Sequence, residues 1–407
     1  MKKYFIYLTT VVFFGAVLTM SSCNNDDDDT PIDPGESATE LLVKKFDAAP
    51  SMDGEIDDIW GTAQRLTTSA QVPSGLGNRM TYYNAVDLGE ETLDIFEAYE
   101  GETENFTMRS GYVGSDIYFL IEWADAVDSK DRQSWYFDSS SQRWRGEHKY
   151  ANKADDKFYE DKFSFLFPIG EVDNFAASTC YATCHTVSSI NNTKDKHTRH
   201  YLKGSGQKVD MWHWKRVRGT HNDRIDDQRM TYKEGPYTSS TNGRSGDEDG
   251  QSGYSNNSQT LMMTGTEVEV NVPLYVVFNG TDYYWIPEAQ LDNEAKKVIA
   301  VALNGTLTLD GGETINPNDG GYEQGVGAKR IPSILTRDFT GGRADLEIKA
   351  VHTGTGWVCE VKRKLNTGDV DDVVFDVTKE FPFGFAIFNN AAIAHAIKPG
   401  LLMKFEQ

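Results

Sequence analysis

The feature that most narrows the fold is a series of short runs in which apolar and polar residues alternate, each bounded by turn-forming residues. Residues 107–113 lead through Gly114, Ser115 and Asp116 into residues 117–123, IYFLIEW, which reads as a β-hairpin with one apolar face. Similar runs occupy residues 162–167, 267–278, 297–303, 344–351, 356–362 and 383–388. A side-chain period of two puts every second residue on one face, so each run buries one side and needs a second layer to cover it. The expectation is an all-β chain, an antiparallel β-sandwich with short helices and long loops. Helical periodicity is scarce, with candidates only at residues 57–65 and 209–217. Two stretches rich in Gly and polar residues, 234–259 and 304–329, read as long polar insertion loops.

The N-terminus has another character. Lys2 and Lys3 precede a largely apolar run that ends in small residues before Cys23, the pattern of a secretory signal over residues 1–23. It resembles a bacterial lipoprotein signal with Cys23 as the lipid anchor, because the run is too short and too interrupted for a comfortable membrane span. Residues 24–40 hold Asp26 to Asp29, Pro31, Pro34 and Gly35, and read as an acidic flexible linker. The folded domain is then expected over residues 41–407, tethered at the outer membrane of a bacterial envelope and either periplasmic or surface-exposed. A formal net charge of −22 argues against a nucleic-acid partner, and 12% aromatic residues supply large side chains for a core.

An exported chain meets an oxidising compartment, where paired thiols form disulfides or are held by haem. Cys359 stands in an alternating run and reads as a buried small apolar residue. Cys180 and Cys184 remain as a pair, and His185 follows at once. Two thiols that add to haem vinyl groups, with the adjacent imidazole as proximal iron ligand, are the covalent haem attachment pattern. The usual spacing has two residues between the cysteines and this run has three. A local disulfide between Cys180 and Cys184 is the competing use of the pair.

The order of several further segments resembles the cytochrome c-552/DMSO reductase-like haem-binding domain, the haem-subunit family related to ethylbenzene dehydrogenase. The residues concerned are 53–60 (DGEIDDIW), 117–125 (IYFLIEWAD), 160–163 (EDKF), Cys180 to His185, 209–215 (VDMWHWK), Asp226 with Asp227, Gly356 with Trp357, 363–368, and 385–390 (FAIFNN). The resemblance implies one haem at the end of a β-sandwich, ligated from two distant segments. It places the second axial ligand just after Asn389 and Asn390, where this chain offers His395 and Lys398. His395 is preferred because a neutral imidazole binds iron without deprotonating a buried amine. Met211 and His213 are the alternatives. Trp212, Trp214 and Lys215 are expected around the ring, with Arg216 and Arg218 beside Lys215 to pair with the propionates or to dock an acidic partner. Two histidines leave no open iron position, so the expectation is an electron carrier and not an enzyme. The cofactor is haem c, the partner a redox protein such as a molybdenum oxidoreductase or another cytochrome, and the membrane contact the lipid at Cys23.

Residues 53–60 also resemble the start of family 9 carbohydrate-binding modules. On that reading Trp135, Trp144 and Trp285 would form a sugar platform, and Cys180, Cys184 and His185 would have no task. The sequence contains no nucleophile elbow, phosphate loop or paired zinc-histidine motif, which argues against a hydrolase.

Overall fold

Alternation becomes strand pairing through most of the chain. The computed structural model describes residues 35–73, 79–84, 89–94, 97–147, 157–179, 183, 202, 204–232, 243–247, 250–277, 283–291 and 294–407. The chain divides into Met1–Asp33 and Pro34–Gln407, and every described residue belongs to the second unit. The expected signal, Cys23 and most of the expected linker lie outside the described residues. Within the linker span, Glu36–Ser37 is already a strand paired with Arg65–Gln71, so ordered structure begins before residue 41.

The largest sheet has 13 strands. Its spatial order runs Arg244–Gly246, Asp226–Thr231, Lys208–Lys215, Lys162–Ile169, Phe381–Phe388, Ala396–Phe405, Glu40–Lys45, Thr103–Val113, Asp116–Ala124, Gly356–Lys364 and Glu347–His352. Glu36–Ser37 and Arg65–Gln71 join off this path. Pairing is antiparallel along most of the sheet, as expected, but Glu40–Lys45 runs parallel to both of its neighbours.

The sheet folds over so that its two halves face each other across an aromatic core. Phe119 from one half meets Phe165 and Trp212 from the other, each with ring centroids 5.6 Å apart. Trp214 meets Trp357 at 5.0 Å and Trp123 at 6.2 Å. Phe163, Phe165, Phe167, Phe383 and Phe385 are fully buried between them. Each such side chain removed from water contributes about 1.5–3 kcal/mol. Cys359 sits in Gly356–Lys364, free and fully buried, as its alternating context predicts.

A second, smaller core joins Trp135, Phe137 and Trp144 to Val272, Val298, Val301, Leu307 and Leu309. It packs the hairpin of Trp135–Asp138 and Arg143–Gly146 against the sheet of Tyr275–Val277, Ala295–Val301, Leu307–Leu309 and Thr314–Ile315. The stretch 304–329 is therefore partly strand, because Leu307 and Leu309 alternate into this core. Residues 234–259 likewise contain the strands Arg244–Gly246 and Tyr254–Asn256. The run 267–278 splits into Glu269–Val272 and Tyr275–Val277 around Pro273, which has no N–H to give to a ladder.

Neither helix expectation holds as stated. Residues 57–65 supply only the 3-10 turn Asp58–Thr62, which buries Trp60, and the next strand starts at Arg65. Residues 209–217 are not helical: Lys208–Lys215 is a central strand between Lys162–Ile169 and Asp226–Thr231. Its polar residues Asp210, His213 and Lys215 are buried among large apolar ones, which hides the period of two.

Candidate functional site

The two faces of Lys208–Lys215 define the site. Trp212 and Trp214 point into the aromatic core, whereas Val209 and Met211 belong to a separate apolar cluster on the outer face. Strand alternation puts His213 and Lys215 on that outer face too. The ladder then builds a surface across neighbouring strands. Ser164 stands opposite both His213 and Ala386, Leu166 opposite both Met211 and Gly384, and Lys162 opposite both Lys215 and Phe388. One strand further, Ala386 stands opposite Ile397. Ser164, Gly384 and Ala386 thus form a low row, with Met211 and His213 on one side and Ile397 on the other.

Three rings line this row. His213 stacks on Phe388 with centroids 5.6 Å apart, and Phe388 stacks on His395 at 4.3 Å. The Lys162 ammonium lies 4.1 Å over the Phe388 ring and donates to the Ala392 carbonyl at 3.1 Å. Burial holds the Lys162 amine well below its usual range, and the Arg218 charge adds to this.

His213 is buried, and neither ring nitrogen has a hydrogen-bond partner among the described residues. Burial first, and then the charges of Lys215, Lys162, Arg244 and Arg218, hold its imidazole well below the usual histidine range. It is therefore neutral at physiological pH, the form that can donate a lone pair to a metal. His395 is tied differently, with Nδ1 against the Ile393 carbonyl. A proton on Nδ1, donated to that carbonyl, leaves the ring lone pair on Nε2, the arrangement common in metal-binding histidines. Lys398 stands opposite Phe385 in the ladder and so belongs to the face turned toward the core, away from His213.

Cys180, Cys184 and His185 lie outside the described residues. The chain reaches them from this same face. The short helix Phe175–Ser178 packs on Phe381–Phe388 and Ala396–Phe405, and Thr179 and Thr183 are fully buried. A Cβ added at Gly384 would lie 2.8 Å from the Thr179 Cβ, so the missing side chain is what lets Thr179 approach the sheet.

The basic residues expected near a ring or a docking partner have internal tasks instead. Lys215 is ion-paired with Asp226, Arg216 holds Asp128 through two bonds of 2.6 and 2.9 Å, and Arg218 Nε donates to Glu160 at 2.6 Å. Trp212 and Trp214 line the core, on the opposite side of their strand from His213. The expected sugar platform is also taken apart. Trp135 and Trp144 are buried in the second core, donating to the carbonyls of Asn257 and Gly305 at 3.0 and 2.7 Å, and only Trp285 of the three is partly exposed.

Sequence reasoning named His213, His395 and Met211 but missed Ser164, Gly384, Ala386 and Phe388. A signal was present: residues 383–387 alternate large and small, with Gly384 between Phe383 and Phe385 and Ala386 between Phe385 and Ile387. That pattern marks one face kept low beside one face packed.

Fold and site together describe an all-β scaffold with a histidine-bearing sheet face. The family model for ethylbenzene dehydrogenase matches residues 57–398, and the chain belongs to that family. Membership relates it to the subunits of an oxidoreductase. No match was found among curated proteins.

Proposed function

We propose that this chain is a lipid-anchored, monohaem c-type electron-transfer protein of a bacterial outer membrane, with haem attached through Cys180 and Cys184. His185 and His395 are its axial residues, and His213 and Met211 are the alternatives to His395. Its partner is another redox protein, a molybdenum oxidoreductase or a second cytochrome, and Cys23 carries the lipid.

One observation supports the reading above the rest: a buried, neutral histidine with no partner among the described residues, beside a second histidine and a methionine, over a row of small side chains. Leaving two imidazole nitrogens buried and unpaired costs about 1–3 kcal/mol each unless a ligand meets them. Imidazole and thioether are the donor types that haem iron takes. The chain enters the Cys180 to His185 run from Thr179, which is packed on the same face.

When bound, haem supplies one-electron exchange. The protein's part is to hold and insulate. The Ile393 carbonyl fixes the His395 ring, Phe388 spaces the two histidines, and Leu166, Phe175 and Met230 keep water from the sheet face. Burial, and after it the surrounding positive charges, keeps His213 from taking a proton.

The test is co-expression with a cytochrome c maturation system, denaturation, and haem staining on the gel. A stain that survives denaturation and is lost in Cys184→Ser is expected. Mature protein with Cys180 and Cys184 joined in a disulfide and no Soret absorbance would overturn the proposal.

A further inference from the structure

Behind the histidine face, on the core side of Lys208–Lys215, lies a group of buried carboxylates that the haem reading does not use. Asp210, Asp227 and Asp372 each offer one oxygen, and these three oxygens lie within 4.8 Å of one another. All three residues are 3% exposed or less. Each carboxylate has one oxygen engaged. Asp210 Oδ2 accepts from the Val373 N–H at 3.0 Å and faces Arg363 at 3.4 Å, Asp372 Oδ2 meets Arg363 at 2.9 Å, and Asp227 Oδ1 accepts from the Gln228 N–H at 3.1 Å. The second oxygens, Asp210 Oδ1, Asp227 Oδ2 and Asp372 Oδ1, have no hydrogen-bond partner among the described residues.

Asp247 is an independent observation from another segment. It is 4% exposed, its N–H bonds the Asp227 carbonyl at 3.4 Å, and neither of its carboxylate oxygens has a partner among the described residues. Positive charge is scarce in this place. Arg363, itself fully buried, is ion-paired with Asp210 and Asp372, while Lys208 and Arg229 are engaged by Asp371. One guanidinium against Asp210, Asp227, Asp247 and Asp372 leaves an uncompensated negative charge inside the sandwich, which is strongly unfavourable without a counter-ion or bound protons.

We propose that Asp210, Asp227 and Asp372, with Asp247 beside them, bind a divalent cation of the calcium class that ties Lys208–Lys215 and Asp226–Thr231 to the segment before Phe381–Phe388. The donors are all oxygens, which selects a hard cation over zinc or copper. Calcium–oxygen distances of about 2.3–2.6 Å suit oxygens up to about 5 Å apart, whereas magnesium at about 2.1 Å draws its ligands closer. The site is structural, since the residues that form it are buried.

The full chain, dialysed against a chelator and then titrated with Ca2+, tests the proposal by metal content and thermal melting. One Ca2+ bound per chain is expected, with Tm raised by about 3 °C at about a hundredfold excess over Kd and a weaker response to Mg2+. Asp227→Asn should abolish the calcium-dependent shift. Wild-type protein that binds no Ca2+ and melts at the same temperature with and without it overturns the site, whether or not the variant folds. A folded Asp227→Asn that keeps the full shift overturns it equally.

Discussion

His213 and Phe388 stack with their ring centroids 5.6 Å apart and planes 29° from parallel, although a strand lies between the strands that carry them. The contact passes over Ser164, whose side chain is too small to separate them. With His395 stacked 4.3 Å beyond Phe388, the sheet presents two imidazoles on one face.

That pair yields a spectroscopic prediction. In haem-loaded protein, His395→Ala should leave high-spin iron, while His213→Ala and Met211→Ala should remain low-spin. Oxidised and reduced optical spectra check this. A low-spin His395→Ala with unchanged potential, alongside a high-spin His213→Ala, would transfer the axial role to His213.

Gly384 governs how the chain enters the cysteine run. Gly384→Leu forces the added side chain against Thr179, whose Cβ would be 2.8 Å from the new Cβ, and overpacking of this kind costs about 1–3 kcal/mol. Covalent haem yield should fall while far-ultraviolet circular dichroism keeps its β signature. An undiminished haem stain per folded protein would show that Thr179 does not position the run.

Trp212 belongs to the core and not to the outer face. It packs against Phe119, Phe165, Phe167 and Phe375 with centroids 4.9–6.1 Å away. Trp212→Ala should destabilise the fold by about 3–5 kcal/mol, as read by denaturant unfolding, without altering the haem spectrum of the folded fraction.

Glu147 makes stability depend on pH. Burial raises its carboxyl from 4.5 to about 7, against a backbone N–H bond from Gly325. The folded state therefore holds this proton more tightly than the unfolded chain, so its contribution to stability is fully present below about pH 4.5 and is lost as pH rises toward 7. Each fully titrating group of this kind changes stability by about 1.4 kcal/mol per pH unit. Glu147→Gln should flatten the corresponding part of the stability–pH curve between pH 5 and 7, measured by urea midpoints. An unchanged slope would place the titration elsewhere.

Much of the fold was legible because short, strongly apolar runs bounded by turn-forming residues mark strands even where both faces are buried. Residues 117–123, 356–362 and 383–388 were found as strands, and Cys359 was read correctly as a buried strand residue. Lys208–Lys215 was misread because the polar residues Asp210, His213 and Lys215 are buried among Val209, Met211, Trp212 and Trp214, so the segment shows neither clean alternation nor a continuous apolar run. Trp135 and Trp144 looked like surface aromatics because the strands that cover them lie far along the chain.

The sequence alone determined the all-β class, the histidines and methionine worth testing, and the cysteine–histidine run that a haem would need. Those follow from residue type and local period, which a linear chain displays. Only the tertiary structure decided that His213 and His395 share a face, that Lys398 does not, that Lys215, Arg216 and Arg218 are engaged within the protein, and that Asp210, Asp227 and Asp372 meet in the core. Strand register sets these relations, and register depends on pairing between segments far apart in the chain, as Lys162–Ile169 is from Phe381–Phe388, which no local pattern encodes.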